Sequence, residues 1–355
     1  MVTAIGIKLS KVWERLSFFE SLDLVKRRFK SRHHEDLPPI KAREIVAHLA
    51  QGREYFRSAD GATDLIRPLL LYYGALALTR ALVLFLDPDA TEATLKKSHG
   101  LAIKGWETHL AKGLEEVPNL SVSVEQGTFD QLCEVTENVD RALVFRPPYP
   151  NRTTWKRKGS KDIPTGTKIT IRETLSRIPE LRDLFERTFD DYSDCFPTFV
   201  FSLSETSQTD ISIIASSRPL PEETRVRNSL QLSQNHVLSR AETHPLAGNV
   251  PNLTFRVLHP SIDDLFGRIP PTRTDREGVT FMVSPLPTGV RLSPLSLLFI
   301  LAYSMSMLVR YFPSQWSALI GREKGDFVLP LLKASVLLVE EDFPRLVLVE
   351  LEDEV

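Results

Sequence analysis

The stretch from Ile66 to Leu86, IRPLLLYYGALALTRALVLFL, constrains the fold of this chain more than any other feature. Apolar side chains fill it except at five positions, which are Arg67, Pro68, Gly74, Thr79 and Arg80. A helix that is apolar on every side is either a membrane span or the central helix of a large core. Only twelve residues separate Arg67 from Arg80, whereas a span needs roughly 20 apolar residues. We therefore predict a buried core helix.

A second apolar stretch, PLSLLFILAYSMSMLVRYF, follows Ser293, which with Pro294 makes a favourable helix start. Eighteen uncharged residues separate Arg291 from Arg310, which is the threshold length for a membrane span. The serines and the proline of this stretch favour a buried helix instead. We predict no membrane span, and we expect the two apolar helices to pack on each other because each is too apolar to be exposed.

The composition is that of an ordinary globular protein, with 42% hydrophobic and 25% charged residues among 355. The formal net charge of −2 argues against a surface that binds nucleic acid or acidic membrane as a whole, so such a role needs a local patch. Two cysteines, Cys133 and Cys195, are too few for a disulfide framework. They favour a reducing compartment. With no signal peptide evident at the N-terminus, we expect a cytoplasmic protein.

The pattern of residues changes twice along the chain. Helical spacing dominates the first part, including most of residues 91–114 apart from an interruption near 98–101. From Pro118 onward, short segments rich in β-branched and aromatic residues predict strands. These segments are 120–127, 142–145, 168–172, 198–203, 211–215, 253–258 and 279–283. We predict an α+β fold in which a sheet-bearing mixed region (118–290) lies between an N-terminal helical region (1–117) and a C-terminal helical region (291–355) that packs on it.

The sequence motifs of common enzyme and cofactor sites are missing. The chain has no G-x-x-x-x-G-K-[ST] or G-x-G-x-x-G loop for a phosphate, no H-E-x-x-H or Cys-x-x-Cys pair for a metal, and no G-x-S-x-G nucleophile motif. We therefore predict neither a metal nor a cofactor. Whether the chain is an enzyme stays open, because some catalytic sites carry no local motif.

One cationic segment has the composition of a nucleic-acid contact. It is predicted to be a loop, and it places Trp155 among the cationic residues Arg152, Lys156, Arg157, Lys158 and Lys161. An aromatic ring stacks on a base while cations hold the phosphates, which is the combination that binds single-stranded nucleic acid. An ordinary solvated loop has the same composition, so both interpretations stay open.

The late apolar helix carries a polar stripe. Ser296, Tyr303, Ser306 and Arg310 recur at helical spacing and fall on one face. Buried polar groups must be paired, so the stripe forms either an internal hydrogen-bond network or the lining of a pocket. We expect Arg310 to be buried at the end of the helix in a structural role, and the alternative is that it holds a ligand phosphate.

Four segments of the chain resemble the YaaC-like family of bacterial proteins. They are GREYFRSA (52–59), RPLLLYYGALALTRALVLF (67–85), SHGL (98–101) and LFILAYSMSMLVRYFPSQW (298–316). The resemblance implies a helical, intracellular bacterial protein. It implies no particular chemistry, because none of the four segments is a known catalytic motif.

The helical parts are also similar to HEPN-type proteins, which are helical bundles that often act as metal-independent ribonucleases or as accessory subunits in bacterial defence systems. The nuclease signature of these proteins is an arginine followed a few residues later by a histidine. Here no histidine follows Arg310, and Arg80 lies nineteen residues before His99. A nuclease site in this chain therefore needs residues that only the fold brings together.

These observations lead to one expected function and two alternatives. We expect a non-enzymatic interaction or accessory subunit of a bacterial stress or antiviral defence assembly, with a protein partner or a second copy of the chain. The first alternative is a HEPN-like metal-independent ribonuclease in which His99 acts with Arg80 and Arg310. The second is a protein that binds single-stranded nucleic acid through the cationic segment. A plainer role for His99, next to Gly100, is to bond the backbone of a turn.

Overall fold

The structure is a computed structural model, and it describes residues 9–146, 151–160, 162–202, 208–216, 218–244, 248–259 and 269–353. The chain forms two compact units, each assembled from segments that are distant in sequence. The described part of the helical unit lies within Ile7–Asn138, Ser160–Leu175 and Pro294–Val355. That of the sheet unit lies within Val139–Gly159 and Ser176–Ser293. The α+β class predicted from the sequence is confirmed.

The helices and strands of the described residues follow one another along the chain. They are α1 (Leu9–Phe19), α2 (Leu22–His33), α3 (Pro39–Asp60), α4 (Arg67–Leu86), β1 (His99–Ile103), α5 (Trp106–Leu110), β2 (Ser121–Gly127), α6 (Thr128–Thr136), β3 (Asp140–Arg146), β4 (Asn151–Arg157), β5 (Lys168–Thr170), α7 (Ile171–Leu175), α8 (Arg182–Phe189), β6 (Cys195–Ser202), β7 (Gln208–Ile214), α9 (Glu223–Ser229), β8 (Leu238–Ala241), β9 (Asn252–Leu258), β10 (Thr272–Thr274), β11 (Thr280–Val283), α10 (Pro294–Tyr311), α11 (Pro313–Ile320) and α12 (Leu329–Glu352).

Helix α4 is the centre of the helical unit, where it packs against α3, α6, α10 and α12. Almost all of its residues from Leu71 to Phe85 are buried. Its approach to α3 depends on Gly74, since a Cβ atom there would lie 2.7 Å from the ring of Phe56. An apolar stretch with no polar face thus becomes the core helix that the sequence predicts.

Helix α10 packs directly on α4, so the predicted contact between the two apolar helices is confirmed. The Tyr72 ring of α4 meets Phe299 and Tyr303 of α10 edge to face, at centroid distances of 5.9 and 5.5 Å. By length and composition both helices could span a membrane, and most of each is buried inside the helical unit. The two helices therefore cover each other's apolar surface, which stabilises the unit by the burial of that surface.

A small antiparallel sheet, ordered β1-β2-β5, belongs to the helical unit as well. The prediction of mostly helical structure over residues 91–114 is wrong at its centre, because His99–Ile103 pairs with β2 instead. The sequence-based division assigned residues 118–290 to the sheet-bearing region. In the structure, residues 118–138 and 160–175 of that range belong to the helical unit instead. The later part of that region, from residue 176, lies in the sheet unit.

The sheet unit contains a six-stranded antiparallel sheet in the order β10-β11-β6-β7-β9-β8 and the separate β3-β4 pair. Alternate residues of β7 and β9 face the core, where Ile211 pairs with Phe255 and Ile213 with Leu253. This period of two is the signature that predicts half-buried strands. Buried side chains of α9 complete the cluster, so this unit has a hydrophobic core of its own.

Candidate functional site

His99 is held at the first position of β1 by a tight crossing of backbone. The next residue, Gly100, has φ +79°, and a Cβ atom there would lie 2.7 Å from the backbone nitrogen of Phe129 in α6. The pairing of β1 with β2 is irregular between His99 and Leu101, and the Thr128 N–H donates to the Ser98 carbonyl at 3.0 Å. The SHGL segment therefore fixes where the imidazole of His99 emerges.

Tyr72 of α4 contacts this imidazole directly. The Tyr72 Oη lies 2.6 Å from Nδ1 of His99, and the two rings meet edge to face at 5.5 Å. Tyr72 is only 1% exposed, and burial raises the pKa of its hydroxyl, which therefore stays protonated. Nδ1 is its sole hydrogen-bond partner among the described residues, and a buried hydroxyl must donate its proton.

This bond determines which tautomer His99 adopts. Burial lowers the pKa of His99, and the positive charges of Arg310 and Arg80 lower it further, so the ring is neutral. Because Nδ1 accepts the Tyr72 proton, the ring's own proton lies on Nε2. His99 is half-buried, and within the described ranges Nε2 has no protein partner. His99 thus presents an N–H donor to a ligand.

Tyr303 of α10 positions the strand that carries His99. Its hydroxyl donates to the Leu101 carbonyl of β1 at 2.9 Å, and its ring lies 5.7 Å from the His99 ring. Burial raises the pKa of Tyr303 to about 12, so this bond persists at physiological pH. Three elements, α4, β1 and α10, therefore converge on the imidazole.

Arg80 and Arg310 add positive charge around His99. Arg80 is half-buried in α4, its Nε is buried, and in the described part of the chain it forms no hydrogen bond or ion pair. Its charge lowers the pKa of His99 and, after burial, that of His48 on α3. A half-buried guanidinium without an acceptor is unusual, because burial of an unpaired charge is costly.

Arg310 differs from its prediction. It is exposed rather than buried, because α10 ends one residue later and the side chain points away from the core. Its Nη1 makes a long hydrogen bond of 3.5 Å to the Tyr73 hydroxyl, and its guanidinium carbon lies 5.1 Å from the centre of the Tyr311 ring. Among the described residues it has no carboxylate partner. The neighbouring Glu125, whose charge reaches Tyr303, is bound to Lys104 at 2.7 Å.

The fold thus brings together the three residues singled out as a nuclease candidate. We refer to Arg80, His99 and Arg310 as the donor cluster, since each offers N–H groups and none offers an acceptor. Arg80 lies on α4 together with Tyr72, which contacts His99, and Arg310 of α10 contacts Tyr73, the residue next to Tyr72. Such a cluster favours an oxyanion, and guanidinium groups match the geometry of phosphate.

The rest of the polar stripe on α10 forms an internal network. The Ser296 hydroxyl donates to the Asn138 side chain and lies 3.6 Å from the sulfur of Cys133. The Ser306 hydroxyl donates to the Tyr303 carbonyl at 2.7 Å. The stripe therefore divides in two, because its serines pair inside the core while Tyr303 and Arg310 belong to the surroundings of His99.

The cationic segment lies in the sheet unit as far as Gly159, and the prediction that it is a loop is wrong for its first part. Residues Asn151–Arg157 form β4, in which Trp155 is paired with Ala142 and Lys156 with Arg141 of β3. Its β-branched and aromatic residues favour this pairing. Lys156 and Lys158 are exposed. The side chains of Arg152, Trp155 and Arg157, and the whole of Lys161, lie outside the described part, so their predicted contacts with nucleic acid stay predictions.

Sequence reasoning missed the partners of His99. Tyr72 is hidden in a stretch where apolar residues dominate, and nothing in the sequence distinguishes it from its neighbour Tyr73. Tyr303 stands out only as a member of the polar stripe. The described residues contain no group of three or more His, Cys, Asp or Glu that could hold a metal ion. Cys133 and Cys195 are free and buried, and burial raises the pKa of both thiols.

Comparison with known proteins bears on the family of this chain. A family model described as YaaC-like Protein matches residues 17–351. No curated protein and no solved structure matches the chain. The matched range includes every element that carries the donor cluster, together with most of both units. The family resemblance of the four segments is thereby confirmed, and the chain belongs to the YaaC-like family.

Proposed function

We propose that this protein is a non-enzymatic subunit whose helical unit binds a phosphate-bearing ligand at the donor cluster. The observation that carries the proposal is that Arg80 and Arg310, whose charges both act on the half-buried His99, have no carboxylate partner among the described residues. Within the described ranges, the chain supplies no negative charge that pairs with either arginine. A bound phosphate supplies that charge and accepts several hydrogen bonds at once.

The tautomer of His99 favours binding over cleavage. A general base needs an unprotonated nitrogen that faces the nucleophile. In His99 the unprotonated nitrogen is Nδ1, which Tyr72 occupies at 2.6 Å. A ribonuclease mechanism would require the other neutral tautomer of His99, in which the ring proton lies on Nδ1 and is donated to the Tyr72 oxygen, so that the unprotonated Nε2 could take the proton of a ribose hydroxyl. That hydroxyl oxygen would then attack phosphorus, the bond from phosphorus to the 5′-oxygen would break, and the 5′-oxygen would take a proton from water. Ribonuclease activity is therefore our second candidate.

Membership of a stress or defence assembly is the broader form of the proposal. An exposed apolar side chain supports it, because Leu337 of α12 is 46% exposed at the rim of a cavity of about 90 Å³. The cavity is lined mainly by apolar side chains, and contiguous apolar surface marks contacts with other proteins. The cations at this cavity are already paired with carboxylates, since Lys333 binds Asp64 at 2.7 Å and Arg67 binds Glu340. The cavity therefore suits an apolar protein surface better than an anion.

Titration with inorganic phosphate and with labelled single-stranded RNA at low salt tests the proposed binding. Wild-type protein is compared with Arg80→Met and Arg310→Met, which keep an apolar stem but remove the charge. We expect each variant to lose about tenfold or more in affinity, since charge-assisted hydrogen bonds contribute about 1.5–3 kcal/mol each. Arg57→Met is the matched control, because Arg57 is exposed and lies beside Glu54. Equal affinities in all four proteins would contradict the proposal.

A cleavage assay separates the two candidate functions. Purified protein is incubated with the same RNA in the presence of a chelator, beside a His99→Ala variant. We expect no cleavage by either protein. Metal-independent cleavage that disappears in His99→Ala would replace the binding subunit with the ribonuclease.

A further inference from the structure

The donor cluster has an exposed aromatic ring at one edge. Tyr311, the last residue of α10, is 53% exposed, and the Arg310 guanidinium carbon lies 5.1 Å from the centre of its ring. The following residue, Phe312, is buried, and its ring lies 6.0 Å from that of Trp106. Pro313 then begins α11. The backbone that presents Tyr311 is therefore fixed on both sides of an exposed ring.

A second aromatic pair lies near Arg310. The Tyr73 hydroxyl accepts the long hydrogen bond from Arg310, and the Tyr73 ring stacks on Tyr55 of α3 at 5.7 Å with an interplanar angle of 27°. One guanidinium of the donor cluster thus contacts two tyrosines, of which Tyr73 is stacked on another ring and Tyr311 is exposed. The guanidinium plane is itself a surface on which a base can stack.

We propose that Tyr311 and Arg310 form a stacking platform for a nucleobase, so that the ligand of the donor cluster is a nucleoside phosphate. The inference rests on the proposed phosphate binding and adds the chemical class of the ligand. A nucleotide carries its flat base and its anionic phosphate on one ribose, which matches an exposed ring next to an arginine of an anion site. Bases of any identity stack on aromatic side chains.

Two features favour a base over other occupants of this surface. The ring stands beside positive charge, whereas an apolar protein surface would leave the Arg310 guanidinium desolvated without an acceptor. A bare phosphate or sugar phosphate would use the donor cluster and leave the Tyr311 ring unused. A base uses both, because it stacks on the ring while its own phosphate completes the arginines.

Isothermal titration with adenosine 5′-monophosphate and ribose 5-phosphate tests the platform. Wild-type protein is compared with Tyr311→Ala and with Tyr311→Phe, which keeps the ring. Stacking of one base is worth about 1–3 kcal/mol, so Tyr311→Ala should weaken the binding of adenosine 5′-monophosphate by about 5- to 150-fold. Tyr311→Phe should bind it like wild type. Ribose 5-phosphate should bind all three proteins with the same, weaker affinity.

The outcomes distinguish failure of the platform from failure of the phosphate site. Equal affinities of the two ligands for wild type, unchanged in Tyr311→Ala, would overturn the platform and leave phosphate binding intact. Absence of binding by both ligands would overturn the proposed function and the platform together. If Tyr311→Ala lowered the affinity for both ligands to the same extent, the platform would also be rejected, because ribose 5-phosphate has no base to stack.

A comparison of free nucleotide with RNA identifies the source of the nucleoside phosphate. Adenosine 5′-monophosphate and a single-stranded adenosine hexanucleotide are titrated under the same salt conditions. Tighter binding of the hexanucleotide, with a steeper salt dependence, assigns the site to single-stranded RNA, since more phosphates are then contacted. Equal affinity per site assigns it to a free nucleotide. For either assignment, Tyr311→Ala must also bind the assigned ligand more weakly than wild type does.

Discussion

The two arginines of helix α4 lie in opposite chemical situations. Arg67, at the start of the helix, pairs with Glu340 of α12, and the two side chains are only 19% and 11% exposed. Arg80, near the other end, has no carboxylate or carbonyl acceptor among the described residues. Both belong to the same apolar helix, and both charges are partly removed from water. The charge of Arg67 is thus paired within the chain, although its Nε is buried without a partner as that of Arg80 is, whereas no carboxylate of the described residues pairs with the charge of Arg80.

This difference teaches how to separate a structural cation from a binding cation. A partly buried charge lowers stability unless an acceptor lies near it. Where the chain supplies the acceptor, the pair orients two helices, as Arg67 and Glu340 do. Where it supplies none, we propose that a bound anion offsets the cost of the partly buried charge. Arg310 extends the second case, because its described contacts are two tyrosines and no carboxylate.

The largest expected effect comes from removing the charge of the paired arginine. Arg67→Met should lower the free energy of unfolding by about 2–4 kcal/mol, because it leaves Glu340 largely buried without its partner. Urea denaturation followed by circular dichroism measures this. Burial already raises the pKa of Glu340, and the charge of Arg67 lowers it. Without Arg67 the carboxyl protonates more readily, so the loss should be larger at neutral pH than in mild acid.

Arg80→Met is the matched substitution at the other end of the helix. It removes an unpaired charge and should change the free energy of unfolding by less than about 1 kcal/mol, because no carboxylate loses its partner. The two variants should thus have different effects. Arg67→Met should lose stability, whereas Arg80→Met should lose phosphate binding. A loss of stability in Arg80→Met as large as that in Arg67→Met would show that the chain does supply an acceptor for Arg80.

A smaller effect than that of Arg67→Met is expected from a substitution at Gly100, which fixes the position of His99. Gly100→Ala adds a Cβ atom 2.7 Å from the Phe129 nitrogen at a residue with φ +79°. We expect a loss of about 1–3 kcal/mol in the free energy of unfolding, together with weaker phosphate binding. Gly105→Ala is the control, because Gly105 has φ +73° with no atom within 4 Å of its Cβ position. It carries the backbone strain without the collision, so its phosphate affinity should equal that of wild type.

Much of the fold follows from the sequence because periodicity and apolar content act locally. The seven predicted strand segments all contain strands, and the helix predicted to end before Pro313 ends at Tyr311. The errors occur where contacts between distant residues override local pattern. His99–Ile103 becomes β1 only because β2 offers a partner, and Asn151–Arg157 becomes β4 only because β3 does. Propensity is a weak prior at such positions.

Three residues of the candidate site could be singled out from the sequence, but its geometry could not. In the sequence, His99 is conspicuous because it precedes a glycine, and Arg80 and Arg310 are conspicuous because they lie in apolar helices. That α4, β1 and α10 converge depends on packing between residues 72, 99 and 303, which are far apart in the chain. The burial of Arg310 was expected from its apolar neighbours, but those neighbours face the core on the other side of α10. Spacing along a helix identifies a face and does not reveal what covers it.

The smallest expected effect is a change in the titration of His99 when an anion binds. Burial, Arg310 and Arg80 together hold the pKa of His99 below its ordinary value of 6.5. The folded protein therefore binds this proton less readily than the unfolded chain does. The stability that comes from a neutral His99 is complete above about pH 6.5 and is lost as pH falls toward the folded pKa. An anion beside the two arginines offsets their charge and should raise the pKa of His99.

Proton NMR of the histidine rings, with His99 assigned through a His99→Asn variant, measures this change. Sulfate is the better probe for the titration, because phosphate changes its own charge in the same pH range. His244 is the internal control, since its pKa is lowered by burial alone and it lies in the sheet unit. We expect sulfate to raise the pKa of His99 and to leave that of His244 unchanged. Equal shifts at both histidines would reflect general salt screening and would place the anion away from Arg80 and Arg310. A shift confined to His99 requires that the bound charge lie beside the imidazole, where the two unpaired arginines of the donor cluster act.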